Sequence, residues 1–127
     1  MRKLTMENYL RKAVERNELN LYYQPQLDMD QGSFNGLEVL LRWDNKELGS
    51  ISPTEFIPLA EETGLILHIG EWVLRQACSQ AHIWCDQGIS LSRIAVNVSA
   101  VQLLHRGFPA LVGTILKETG LDPSLLE

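Results

Sequence analysis

Nothing in this sequence is basic enough to grip nucleic acid, apolar enough to cross a membrane or rich enough in cysteine to need oxidation. Acidic residues outnumber basic ones by 16 to 11, for a formal charge of −5. Lys and Arg are scattered rather than clustered, which excludes general DNA or RNA binding. No apolar window approaches the roughly 20 residues of a membrane helix. Met1 to Thr5 is basic but runs straight into an amphipathic pattern, without the apolar core of a signal peptide. Cys78 and Cys85 are the two cysteines. On one helix they would stand roughly 10 Å apart, beyond disulfide reach, so they read as core thiols in a reducing cytoplasm. His68, His82 and His105 show no metal-ligand spacing, no HExxH pattern and no acid placed for a triad. No glycine-rich loop follows a strand, so nucleoside-triphosphate chemistry is unsupported. What remains is 127 residues of ordinary soluble composition, enough for one domain that buries about two-thirds of its unfolded surface.

The chain is organised around Leu37-Glu38-Val39-Leu40-Leu41-Arg42-Trp43. It reads as a buried strand, with Leu37, Val39, Leu41 and Trp43 on one face and Glu38, Leu40 and Arg42 on the other. Glu38 and Arg42 are four residues apart, roughly 13 Å along a strand, too far to pair directly. Each then needs its own partner, because a charge in apolar surroundings is costly to desolvate. Spacing alone leaves open whether those partners make a functional site or a structural network.

Around this strand the sequence alternates. Met6, Leu10, Ala13 and Val14 recur at helical spacing, with Thr5 as a helix cap and Leu4 and Tyr9 placed for a hydrophobic staple. Leu19 to Asp28 is a strand, with Leu21, Tyr23 and Pro25 facing one way and Tyr22, Gln24 and Gln26 the other; Pro25 suits an edge. A turn from Asp28 to Asn35 makes the two strands a hairpin. Ser52-Pro53-Thr54-Glu55 opens a helix that Gly64 closes. A longer helix is predicted after Gly70, ending at Gly88, with Glu71 complementing its dipole. Ser92 to Ser99 reads as a strand in which the polar Asn97 demands a partner. Ser99 to Gln102 has capping-box spacing, Pro109 to Thr119 is a helix ending at Gly120, and Leu125-Leu126-Glu127 looks like a strand just begun. This alternation argues for a parallel sheet wrapped by helices.

Glu38-Val39-Leu40 followed by Leu41-Arg42-Trp43 resembles the signature of the EAL domain, the bacterial cyclic di-GMP phosphodiesterase family, with Val39 in place of alanine. The likeness continues in family order through Tyr23-Gln24-Pro25, the run from Ser52 to Glu61, Gly70-Glu71-Trp72-Val73-Leu74 and Ala95-Val96-Asn97-Val98-Ser99. It covers nearly everything from about Met6 onward. The resemblance implies an α/β fold: the opening half of a modified (β/α)8, TIM-like barrel with an antiparallel first strand. Residues 1–127 would then be the N-terminal half of the domain, with about residues 1–18 as its opening helix, since a complete barrel takes about 250 residues.

By the same resemblance, Glu38 and Asn97 match two metal ligands and Arg42 a phosphate contact. Gln24 and Leu40 match positions that touch the nucleotide, and Pro53 and Phe56 would lie near a guanine at the rim. Without the resemblance, Asn97 reads as a hydrogen-bonded strand polar group, Gln24 as a backbone cap and Phe56 as core. The implied cofactors are two divalent cations, Mg²⁺ or Mn²⁺, and the implied ligand is cyclic di-GMP. The family's other ligands, a glutamate pair in an E-I-T-E-like strand, an Asp-Asp motif, a lysine and a further glutamate, would lie beyond Glu127. The chain alone is therefore expected to be inactive, because one Glu and one Asn cannot hold two cations. An open sheet edge favours self-association or an EAL or GGDEF partner. The alternative is a non-catalytic segment that binds a protein or senses the dinucleotide.

Overall fold

A computed structural model describes residues 2–28 and 33–127. Helix α1 (Arg2–Arg11) leads through a turned segment into strand β1 (Leu19–Asp28), which pairs antiparallel with β2 (Ser33–Asn45). Strand β3 (Gly49–Ile51) folds back antiparallel on the end of β2. Helices α2 (Pro53–Thr63) and α3 (Leu65–Asp86) follow, then β4 (Arg93–Val96), α4 (Ala100–Leu104) and α5 (Phe108–Thr119). A 3-10 turn at Pro123–Leu125 ends the run. Strand β4 lies parallel to the first half of β2, Gly36 to Val39 against Arg93 to Val96, so β2 is the centre of the sheet. An antiparallel first strand followed by a parallel β2/β4 pair is the expected opening of the barrel.

The face of β2 that carries Val39 and Trp43 is the core. Both are buried, and Trp43 stacks edge-to-face on Phe56 of α2 with ring centroids 5.5 Å apart. Tyr23 of β1 meets Trp84 of α3 in the same geometry at 4.9 Å, which ties the hairpin to the long helix. Glu18 accepts hydrogen bonds from the indole nitrogen of Trp43 and the amide of Asn45, at 3.0 and 3.1 Å. Two buried donors are thus satisfied by one carboxylate.

Several boundaries differ from the sequence expectation, each for a physical reason. Thr5 lies inside α1 rather than capping it, and Leu4 is exposed rather than stapled. Of the turn expected from Asp28 to Asn35, residues 29–32 lie outside the described residues, and Ser33 to Asn35 already belong to β2, whose pairing with β1 is as expected. Strand β3 is too short for alternation to reveal. Helix α3 starts at Leu65 and runs through Gly70 instead of starting after it. Glycine serves there as a gap, not a break: a Cβ on Gly70 would lie 1.8 Å from Nε2 of Gln102 on α4. Strand β4 stops at Val96, so Asn97 is exposed in the turn after it rather than buried within it.

The remaining caps agree with the sequence. Ser52 caps α2 and Gly64 ends it at φ 80°. Ser99 and Gln102 form a reciprocal capping box on α4. Gly120 closes α5 at φ 79°. Leu126 makes a parallel bridge to Ile94, and Glu127 exchanges backbone hydrogen bonds with Ile94 and Val96, so the last residues do begin a strand beside β4.

Candidate functional site

The face of the sheet opposite the core is polar because β2 places Glu38, Leu40 and Arg42 there by simple alternation. Glu38 stands level with Gln24 on β1 and Ala95 on β4. Asn97 leaves the end of β4, and its Nδ2 donates to Oε2 of Glu38 at 3.2 Å. The other carboxylate oxygen, Oε1, accepts from Nε2 of Gln26 at 3.4 Å. Arg42 does not pair with Glu38. Its Nη1 donates to the Leu41 carbonyl at 2.9 Å, and the guanidinium lies 5.9 Å from the centre of the Tyr22 ring. The two charges of the central strand therefore have separate partners, as their spacing requires.

Between β2, the segment after β4 and helices α2 and α3 lies a cavity of about 290 Å³, walled on the core side by Val39, Ile69 and Leu74. Leu40, Arg42, Pro53 and Asn97 line it, and Ile57 and Val73 extend its wall into the helix layer. Four of the seven site residues expected from the sequence thus share one cavity, with Glu38 hydrogen-bonded to one of them. Gln24 is exposed across from Glu38. Phe56 is different: it is fully buried against Trp43 and does not line the cavity, so this position packs the core instead of offering its ring to a base.

A carboxylate and a side-chain amide are hard oxygen donors, the kind that Mg²⁺ or Mn²⁺ prefers. Asn97 would have to turn its amide to present Oδ1 in place of Nδ2. Among the described residues no group of three or more His, Cys, Asp or Glu side chains converges. Glu38 and Asn97 therefore fit the chemistry of a divalent cation while supplying two of the roughly six ligands it needs.

Three further residues stand next to this arrangement without having been expected there. Arg93 and Gln26 stand behind Glu38, and Gly70 makes room for the buried Gln102 that anchors the turn carrying Asn97. Gln26 shares the face of Gln24 by alternation, which was the one visible signal. On the core side, burial pushes the Cys78 thiol up to about 11. Burial, and then neighbouring Cys78, raises the Tyr23 hydroxyl above its ordinary value. Neither group belongs to the polar face.

A family model described as the EAL domain matches residues 7–127. The chain belongs to the EAL domain family. Over 117 residues it is 48% identical to the bifunctional diguanylate cyclase/cyclic di-GMP phosphodiesterase MucR of Pseudomonas aeruginosa, covering 92% of this chain and 17% of that protein. It is 40% identical to the cyclic di-GMP phosphodiesterase PdeR of Escherichia coli, covering 94% of this chain and 18% of PdeR. The solved MucR phosphodiesterase in complex with c-di-GMP superposes with a TM-score of 0.90 at 46% identity, over 96% of this chain and 49% of that one. This EAL chain thus spans about half of a solved EAL phosphodiesterase and less than a fifth of those two curated relatives.

Proposed function

We propose that this chain forms one side of a cyclic di-GMP phosphodiesterase site, with the substrate lying across β2 and the end of β4. The observation that carries the reading is the 3.2 Å contact between Asn97, just past the end of β4, and Glu38, within β2 on the face that also bears Arg42. In this reading Glu38 and Asn97 hold a divalent cation, Mg²⁺ or Mn²⁺. Such cations, when bound, activate water and stabilise charge on the phosphate and the leaving oxygen. Arg42 binds a phosphate oxygen through its planar donor array, and its contacts to Tyr22 and the Leu41 carbonyl fix the plane of the guanidinium beforehand. Leu40 and Pro53 give the nucleotide an apolar surface, and Gln24 offers amide hydrogen bonds from the neighbouring strand.

Hydrolysis to the linear dinucleotide belongs to the full domain, because two oxygen donors cannot hold two cations. A non-catalytic role in binding a partner or the dinucleotide is the second reading. Exposed Leu103 and Leu104 favour association with a second copy or a GGDEF or EAL partner. Two unpaired cysteines fit a reducing cytoplasm, and among the described residues no helix is long and apolar enough to cross a membrane.

Mapping by backbone and side-chain NMR tests the site. Titrated cyclic di-GMP should shift Gln24, Glu38, Leu40, Arg42 and Asn97 and leave Phe56 still. Shifts centred on the helix layer instead would refute the placement.

A further inference from the structure

We propose that Gln26, its amide held one way round by Arg93, is a positioning residue that fixes the carboxylate of Glu38. The geometry stands by itself; its consequence for cation binding rests on the reading of Glu38 above.

Gln26, Gly36 and Arg93 occupy one level of the sheet, on β1, β2 and β4. Arg93 crosses from β4 over β2 and donates through Nη2 to Oε1 of Gln26 at 3.2 Å. The crossing depends on Gly36, where a Cβ would stand 3.2 Å from both Cγ and Nε of Arg93. On its other side, Nε of Arg93 lies 3.7 Å from the Glu127 carboxylate. A guanidinium has donors only, so Gln26 must turn its oxygen toward Arg93 and its Nε2 away from it. Nε2 then meets Oε1 of Glu38 at 3.4 Å. The reversed amide would set an oxygen against the carboxylate and an N–H against the guanidinium, both repulsive. Arg93 thus acts on Glu38 without touching it: Oε1 is held from β1, and Oε2 is left facing Asn97.

Partners that orient a metal-binding side chain are worth about 10–100-fold in metal affinity. The sign separates positioning from simple charge. If Arg93 were only a nearby cation, removing it would tighten binding of a second cation. As a positioning residue acting through Gln26, its removal weakens that binding.

The test is side-chain NMR on the full chain without metal, following the Glu38 carboxylate carbon and the Gln26 amide. The variants are Arg93→Met, Arg93→Lys, Gln26→Leu and the double variant Arg93→Met/Gln26→Leu. Arg93→Met should move both signals, and Arg93→Lys, which keeps a charged donor group, should largely restore them. In the Gln26→Leu background, Arg93→Met should leave Glu38 where it is. A Glu38 signal that Arg93→Met moves equally in both backgrounds, or in neither, overturns the proposal. Titration with Mn²⁺, read by paramagnetic broadening near Glu38, should show about tenfold weaker binding in Arg93→Met; tighter binding overturns it. Coupling through Gln26 with no Mn²⁺ broadening in any variant supports the positioning role and contradicts the metal reading of Glu38.

Discussion

Replacing Gly70 with Ala should destabilise the chain, against the usual rule for helices. Alanine in a helix interior ordinarily gains about 1 kcal/mol over glycine. Here the new Cβ would stand 1.8 Å from Nε2, 2.4 Å from Cδ and 3.0 Å from Oε1 of Gln102, which is itself only 5% exposed. Gln102 would have to swing its amide towards the cavity it lines and give up its bond to the Ser99 N–H, now 3.1 Å. Losing that half of the capping box costs about 1 kcal/mol, and stranding a buried amide costs about 1–3 kcal/mol. Against the propensity gain, the net loss is about 1–3 kcal/mol. With a urea slope of about 1–3 kcal/mol per molar, the unfolding midpoint should fall by about 1 M. In the Gln102→Ala background the obstacle is gone, so Gly70→Ala should be neutral or stabilising. The sign change between backgrounds is the signature of the contact. A midpoint that rises in the wild-type background would mean that Gln102 yields to the new Cβ without loss.

Other expectations follow from the same geometry. Glu18→Ala should cost about 2–3 kcal/mol by urea unfolding, because it strands the donors of buried Trp43 and Asn45 together; a loss below a few tenths would mean that water replaces the carboxylate. Phe56→Ala should cost about 3–5 kcal/mol as a core deletion, and any dinucleotide binding by the folded fraction should be unchanged. Cys78, with its folded value raised to about 11, should resist alkylation at pH 8 while the chain is folded. Its thiol favours the fold fully below the unfolded thiol value near 9, and this contribution is lost as pH rises towards 11. Unfolding midpoints should therefore decline across that window less steeply in Cys78→Ala than in the wild type.

Much of the fold was legible because its signals are local. The limits of β1, the cap of α2, the capping box of α4 and the glycine that ends α5 are each written in neighbouring residues. Alternation along β2 likewise separated the buried Val39 and Trp43 from Glu38 and Arg42. What stayed hidden depends on contacts between distant segments. Gly70 looked like a helix boundary because the residue that needs its space, Gln102, is 32 positions away. Arg93 reaches Gln26 across 67 positions, and no pattern along one strand discloses that bond. At Phe56 a motif match suggested a place near a guanine, while in the structure the ring is buried against Trp43. Asn97 was singled out by its motif, while its place after β4 depended on where pairing with β2 stops.

In the proposed arrangement Glu38, Asn97 and Arg42 form a usable side of a cyclic di-GMP site. Calorimetric titration of cyclic di-GMP into the chain with Ca²⁺ present, repeated on Arg42→Ala after the mass in solution is checked, tests it most directly. A charge-assisted phosphate contact is worth about 1.5–3 kcal/mol, so Arg42→Ala should weaken saturable binding by about tenfold or more. No binding by the folded chain, or equal binding by the Arg42→Ala variant, would contradict that arrangement.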